Sequence, residues 1–380
     1  MARRGVAAIV TQFEKLSDPR IERTKHHKLL DMVVIALCAA ICGADGWADV
    51  ERFGKAKRAW FSRFLELPYG IPSHDTFGRV FAMLDTGHFL ACLHNWLRSL
   101  SGSLKDQGIA IDGKTLRGSF DRASGRAALH VVSAWASGLR ISLGQVAVDD
   151  KSNEITAVPK LLELLELAGA VVTLDAMHCQ KETLVAIRAR GADYVIPVKA
   201  NQPKLFECLQ NLFEDYGNKD YQDPTIRTHR TVERNRGREE ERTYYAAAAP
   251  EELRNSAEWR DVRSVLMVYR HRELASGKVQ DEVAFYITSL PPKVKRLAKL
   301  VRGHWGIENS LHWTLDVTFS EDRSRIRKDS GPQIAGIFRR LALTVLEQDT
   351  SLKSSIRGKR LQAGWNEAIL EGIFTGFTGE

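Results

Sequence analysis

No stretch of this chain is apolar for long enough to cross a bilayer. The longest run, Leu29 to Cys42, carries Asp31 and falls short of the roughly 20 residues a membrane span needs, so it reads as a buried helix. A secretory leader is not indicated: MARRGVAAIV starts basic, but its apolar part is brief and Thr11, Gln12, Glu14 and Lys15 follow at once. Residence in the cytoplasm is the expectation. The five cysteines, Cys38, Cys42, Cys92, Cys179 and Cys208, include no CxxC pair and are odd in number. That argues against a disulfide framework and for buried free thiols in a reducing compartment. Internal repeats, low-complexity segments and an HExxH zinc motif are also absent.

What remains is an ordinary globular composition: 380 residues, 44% hydrophobic and 27% charged, enough for two to three domains with a sizeable core. The formal net charge of +8 points to a polyanionic partner. Two basic series add weight. One is Arg227, Arg230, Arg234, Arg236, Arg238 and Arg242; the other runs from Lys293 through Arg302 to Arg323, Arg325, Arg327 and Lys328. A solvated charged face is the alternative reading of both.

Residues 1–105 read as a small all-helical domain, with period near 3.6 in HHKLLDMVVIALCAAICG and a stop at Gly43. GIPSHDTFGRVFAML predicts a turn, a Ser73 cap and a short helix, either part of a DNA-reading helix-turn-helix or a plain packed hairpin. From about residue 106 a mixed α/β pattern begins. IAIDGK, LHVVSAWAS and RISLGQVAVD predict three strands, followed by helix (ITAVPKLLELLEL), strand (AVVTLDA), helix (KETLVAIRARG) and strand (DYVIPVK). Residues 202–287 break into charged, strand-like pieces and read as a β-rich insertion in a core domain of residues 106–350. RLAKLVRGHWGIENSLHWTLD then predicts one long helix with Ile307, Leu311 and Leu315 on its buried stripe. Residues 351–380 form a C-terminal tail.

Asp112 ends the first core strand, Asp175 follows the strand after the first core helix, and Glu308 sits on the long helix. If those strands are neighbours, the two aspartates emerge at one sheet edge. Three carboxylates about 5 Å apart repel by roughly 3 kcal/mol per pair at an effective dielectric of 20, so such a cluster implies a cation. A hard divalent metal suits oxygen donors, and two such ions suit phosphodiester chemistry. Singly, each acid has a plain structural reading: a turn former, a helix cap, a partner for a lysine. Asp316, Glu321 and Asp322 are alternative third acids. His304, Glu308 and His312, spaced four residues apart, could instead form a zinc face, though no fourth ligand is evident. Trp305 and Trp313 fit core packing better than base stacking.

IAIDGKTLRG, KSNEITAVPKLLELL, TLDAMHCQ, DYVIPVKANQ and HWGIENSLHWTLDVTFSED, in this order, together with FEKLSDPR, ALCAAICGADGW and GIPSHDTFGRVF near the start, resemble the ISAs-type (H-repeat-associated) insertion-sequence transposases of the DDE superfamily. The likeness covers nearly the whole chain. It implies an α/β fold with an RNase H-like mixed-sheet catalytic core, a β-rich insertion and an associated helical domain, with catalytic metal-binding acids at Asp112, Asp175 and Glu308. It also implies two Mg²⁺ ions, with Mn²⁺ as an allowed substitute. The expected partners are double-stranded DNA (terminal inverted repeats and target) and a second copy of the chain in a synaptic homodimer. The chain would then be cytoplasmic, and nucleoid-associated when bound to DNA.

Phosphate contacts are expected from Lys114, Arg117, Lys199, Asn201, Gln202, Arg236, Arg238, Arg302, His304, His312, Arg323 and Arg325; for Lys114 and Arg117 an ordinary ion-pair role is the alternative. The chain departs from the pattern in four places. His304 stands where related transposases have Arg, Leu315 where they have Lys, His178 where the family has Gly after DAM, and RGREE where it has HGRIE. A nuclease without strand transfer and a domesticated DNA-binding protein with a vestigial core are the rival readings.

Overall fold

The computed structural model describes residues 11–101, 103–121, 125, 127–148, 154–235, 238–274 and 276–377. In chain order its main helices begin with α1 (Leu29–Ile41), α2 (Trp47–Ala56), α3 (His74–Met83) and α4 (Thr86–Ser101). Then come β1 (Gly108–Thr115), β2 (His130–Ala136), β3 (Ile141–Val148), α5 (Glu154–Leu164), β4 (Val171–Thr173), α6 (Lys181–Ala189), β5 (Asp193–Val198) and α7 (Pro203–Gly217). Four strands follow: β6 (Arg227–Asn235), β7 (Arg238–Ala248), β8 (Ser264–Glu273) and β9 (Val279–Thr288). The chain continues through α8 (Val294–His304), a π-helical turn (Ile307–His312), α9 (Trp313–Val317), α10 (Gly331–Gln348), α11 (Ile356–Trp365) and α12 (Glu367–Phe377). No helix among the described residues is long and apolar enough to cross a membrane.

The chain divides into two compact units. One takes everything up to Ser103, Gly113–Glu154, and everything from Glu308; the other takes Leu104–Asp112 and Ile155–Ile307. Strand β1 is therefore shared by sequence, its first five residues in one unit and its last three in the other.

In the first unit α1 is apolar all round, buried from Met32 to Ile41, and packs on α10. Its one acid, Asp31, survives burial because Oδ2 accepts the Leu67 amide at 2.9 Å. Phe338 of α10 meets Phe81 and Phe89, with ring centroids 5.4 and 5.3 Å apart. Ser73 caps α3 as its position predicts, accepting from the Thr76 amide, while His74 is held by Glu51 at 2.7 Å. The α2–α3 pair packs together. Strands β2 and β3 form an antiparallel pair, with an irregularity at Ala134/Trp135.

In the second unit the strand order is β1-β4-β5-β9-β8-β7-β6. Strands β1, β4 and β5 are parallel, and from β9 onward every pairing is antiparallel. The segment expected as an insertion thus continues the sheet from β5. Helix α8 lies on one face of it, with Val294, Leu297, Ala298 and Val301 packed against Val171, Val195, Tyr244 and Leu266. The periodicity that suggested one helix through residue 316 is real in its apolar row, since Ile307, Leu311 and Leu315 are all fully buried. The helix is nonetheless interrupted by the π turn, which widens the backbone at Glu308.

Candidate active site

In the second unit the parallel β1–β4 register aligns Gly108 with Val171, Ile109 with Val172 and Ala110 with Thr173. Asp112 and Asp175 each stand two residues beyond the last aligned pair and so occupy matching steps at the same end of the pairing; Asp175 lies just past β4, whereas Asp112, expected to end its strand, is inside β1, which runs on to Thr115. Neighbouring strands lie about 4.8 Å apart. Asp175 precedes a short 3-10 turn, Ala176–His178. The amide of Asn201 donates to the Ala176 carbonyl at 2.8 Å and that of Gln202 to the Cys179 carbonyl at 2.8 Å. Both amides thereby fasten the loop that carries Asp175.

His304, near the end of α8, bridges the strand and the acid. Its Nδ1 is 3.0 Å from the Thr173 hydroxyl and its Nε2 is 3.2 Å from Asp175 Oδ1. The His304 hydrogen bond, aided by the charges of His178 and Lys199, holds the Asp175 carboxyl below the usual carboxylate range against the opposing effect of burial. Thr173, a lone hydroxyl in the apolar run AVVTLDA, is the functional neighbour that motif reading missed; its polarity in a fully buried strand was the available signal.

In the first unit Lys114 is 8% exposed and its Nζ lies 2.5 Å from Asp316 Oδ1, 3.1 Å from Glu321 Oε2 and 3.2 Å from Asp322 Oδ1. Glu321 is fully buried, and its other oxygen takes Arg340 Nη1 at 2.8 Å. Burial acts to raise the Glu321 carboxyl, but Arg340 and Lys114 override it and hold it at about 2. The three alternative third acids are thus the ligands of a lysine. Beside Lys114, Gly113 has no room for a side chain, because a Cβ would lie 2.5 Å from Glu154 and from His130 Nε2. Those two form a buried pair of their own at 2.9 Å, with His130 Nδ1 on the Thr115 hydroxyl at 3.0 Å.

The remaining expected site residues fall in several places. Glu308 is exposed on the π turn. Arg302 makes a two-pronged pair with Glu233 at 3.0 and 2.9 Å. Arg117 is 82% exposed, 3.4 Å from Asp322. Lys199, Arg323 and Arg325 are exposed and His312 is half-buried. Arg236 and the side chain of Arg238 lie outside the described residues. Trp305 and Trp313, expected in the core, are 42% and 59% exposed. Two residues along a helix is about 200° around it, so positions 305 and 313 face away from the inward row that runs from Ile307 through Leu311. Trp305 instead lines a cleft of about 410 Å³ with Arg242, Arg270, Arg302, Tyr244 and Tyr286.

Among the described residues no group of three or more His, Cys, Asp or Glu side chains is disposed to hold a metal ion. Neither the expected acid trio nor the His304–Glu308–His312 face appears as such a group. The donor chemistry of Asp112 and Asp175, two hard carboxylates in register with one held ionised, fits a divalent cation of the Mg²⁺ kind.

Compared with known proteins, the chain matches the family model described as "Transposase DDE domain" over residues 103–345 and the one described as "DDE_Tnp_1-associated" over residues 10–97. The chain belongs to the Transposase DDE domain family. Among similar proteins, "H repeat-associated putative transposase YhhI" of Escherichia coli (strain K12) is 35% identical over 354 residues, 92% of this chain and 93% of that protein. "Putative transposase YncI" of Escherichia coli O157:H7 is 34% identical over 377 residues, covering 97% of this chain and 95% of that protein. "Uncharacterized protein in dhlA 3'region" of Xanthobacter autotrophicus is 39% identical over 292 residues, covering 75% of this chain and 97% of that protein. The function that goes with this Transposase DDE domain is DNA transposition.

Proposed function

We propose that this DNA transposase is catalytically competent: that it cleaves DNA at the ends of its element and joins the freed 3′-hydroxyl to target DNA, with an RNase H-like core whose metal-holding acids are Asp112, Asp175 and Glu308. The observation that carries the reading is that Asp112 and Asp175 stand at the same step, two residues past the last aligned pair of two adjacent parallel strands. Two Mg²⁺ ions bound there, with Mn²⁺ as substitute, would polarise phosphate oxygens and lower the pKa of an attacking water or hydroxyl.

The chain's own residues bind and orient. Asp112 and Asp175 present carboxylate oxygens, and Glu308 supplies a third carboxyl from its π turn. His304, anchored on Thr173, aims Asp175 and limits its rotation. Lys199, Arg117, Arg323 and Arg325 offer exposed cations to phosphates. Residues 1–105 act as a DNA-binding associated domain, and 351–380 as a tail. A homodimer brings two terminal inverted repeats together in the cytoplasm, at the nucleoid. Purified protein given cognate ends and Mg²⁺ should cut them, and Asp175→Ala should not; equal cutting by that variant sinks the assignment.

A further inference from the structure

The ammonium of Lys114 has three N–H donors, and three carboxylates surround it: Asp316 at 2.5 Å, Glu321 at 3.1 Å and Asp322 at 3.2 Å. No donor remains for a DNA phosphate. The cage is not isolated. Glu321 is shared with Arg340, whose Nη1 also donates to the Gly336 carbonyl at 3.2 Å. The backbone just after β1 is clasped by the same segment: a Cβ on Gly118 would lie 2.2 Å from the Ser324 carbonyl oxygen and 2.8 Å from that of Asp322. Arg327 Nε donates to the Gly118 carbonyl at 3.2 Å.

We propose that Lys114 is a positioning residue rather than a phosphate contact: its buried, caged ammonium pins the strand that bears Asp112 to the segment that follows Glu308. Lys114 comes two residues after Asp112, and its three partners lie 8 to 14 residues after Glu308 in the chain. Buried ion clusters are seldom more stable than apolar packing of equal volume; their best-attested use is to fix a register. Here the register fixed is that of β1 against the Asp316–Asp322 stretch. The inference rests on the reading of Asp112 and Glu308 as metal ligands.

The test uses the full-length protein and three measurements: calorimetric binding of Mn²⁺ without DNA, salt dependence of binding to terminal-repeat DNA without metal, and circular dichroism. Lys114→Met should weaken Mn²⁺ binding roughly 10-fold or more, the range seen when residues supporting metal ligands are removed. Its DNA affinity and salt slope should stay at wild-type values, and Lys114→Arg should recover part of the metal binding. A phosphate contact predicts the reverse, with unchanged Mn²⁺ binding and a salt slope smaller by about 1; that result overturns the proposal. Should Lys114→Met fail to fold, Asp316→Asn carries the test, because Asp316 is one-third exposed and Lys114 keeps two partners. Wild-type Mn²⁺ binding by Asp316→Asn would then count against the cage. Asp112→Ala separates the two levels. If it binds Mn²⁺ like wild type, the metal-ligand reading itself fails; if it does not bind while Lys114→Met does so normally, only the positioning role fails.

Discussion

Glu321→Gln is the most informative single change in the buried charge network. The wild-type carboxylate is 1% exposed, faces Arg340 at 2.8 Å and Lys114 at 3.1 Å, and its carboxyl is held at about 2 instead of the usual 4.5. At about 1.4 kcal/mol for each tenfold change in proton affinity, that difference corresponds to roughly 3 kcal/mol of stability contributed by the ionised form. The sign follows from the depressed value. The contribution is complete above the unfolded-state value near 4.5 and is lost as pH falls from there toward 2. Glutamine keeps the shape and removes the charge, so Arg340 and Lys114 lose a buried counter-charge, at a cost of about 3–5 kcal/mol for breaking such a pair.

The expected result of urea unfolding followed by circular dichroism is therefore a variant about 3 kcal/mol or more less stable at pH 7. Near pH 3 the unfolded wild-type carboxyl is mostly protonated while the folded one is still ionised. The gap between the two proteins should accordingly narrow by roughly 2 kcal/mol. A variant as stable as wild type at pH 7, or a deficit that stays constant between pH 7 and pH 3, refutes the account of Glu321 as an ionised buried hub.

Gly113→Ala should destabilise by about 1–3 kcal/mol, since its Cβ would press on the buried His130–Glu154 pair at 2.5 Å; thermal unfolding monitors it, and a neutral effect would mean that the pair can move aside. His304→Ala removes the largest influence holding the Asp175 carboxyl down, so the Asp175 titration followed by carboxyl NMR should move upward; an unmoved titration rules His304 out as its holder. In DNA binding without metal, Arg323→Ala and Arg325→Ala should each reduce the salt slope by about 1. Arg230→Ala and Arg234→Ala should change it little, because those guanidiniums are already paired with Glu241 and Glu239. The opposite ranking would place the DNA on the β6–β7 hairpin.

The parallel strands were readable because β1, β4 and β5 are short apolar runs closed by Asp112, Asp175 and Lys199, and Ser73 marked its helix by its capping chemistry. The later strands were legible only as charged, strand-like pieces, and that they continue one sheet from β5 was not, for a physical reason. On one face of β6–β9 the cross-strand rows are Thr231, Arg242, Arg270, Glu282 and Glu233, Glu240, Arg272, Gln280. Burial there is met by charge pairing, with Arg242 and Glu240 both under 10% exposed, so the alternation of apolar and polar residues that announces a strand does not develop. The π turn at Glu308 leaves no compositional mark, since the apolar row passes through it unbroken. Of the candidate site, the two aspartates were legible as the acids that close apolar runs, although β1 itself continues past Asp112 to Thr115. The role of His304 was not, because it depends on Thr173 and Asp175, 131 and 129 residues away.

The same pairing alters what the net charge means. A chain of formal charge +8 with six arginines between 227 and 242 suggests a basic stripe there. In the folded protein Arg230, Arg234 and Arg242 answer Glu241, Glu239, Glu233 and Glu240, while Arg270 and Arg302 answer Glu282 and Glu233. These pairs are short-range and largely cancel at the distance of a Debye length, about 8–10 Å in physiological salt. A polyanion is attracted by charge left over after such pairing, so the density of arginine in the sequence is a poor guide to where DNA lies. Lys114 illustrates the same rule at the scale of one residue: a cation two residues from a proposed metal-holding acid looks like a phosphate ligand until its three donors are counted and each is found to be taken.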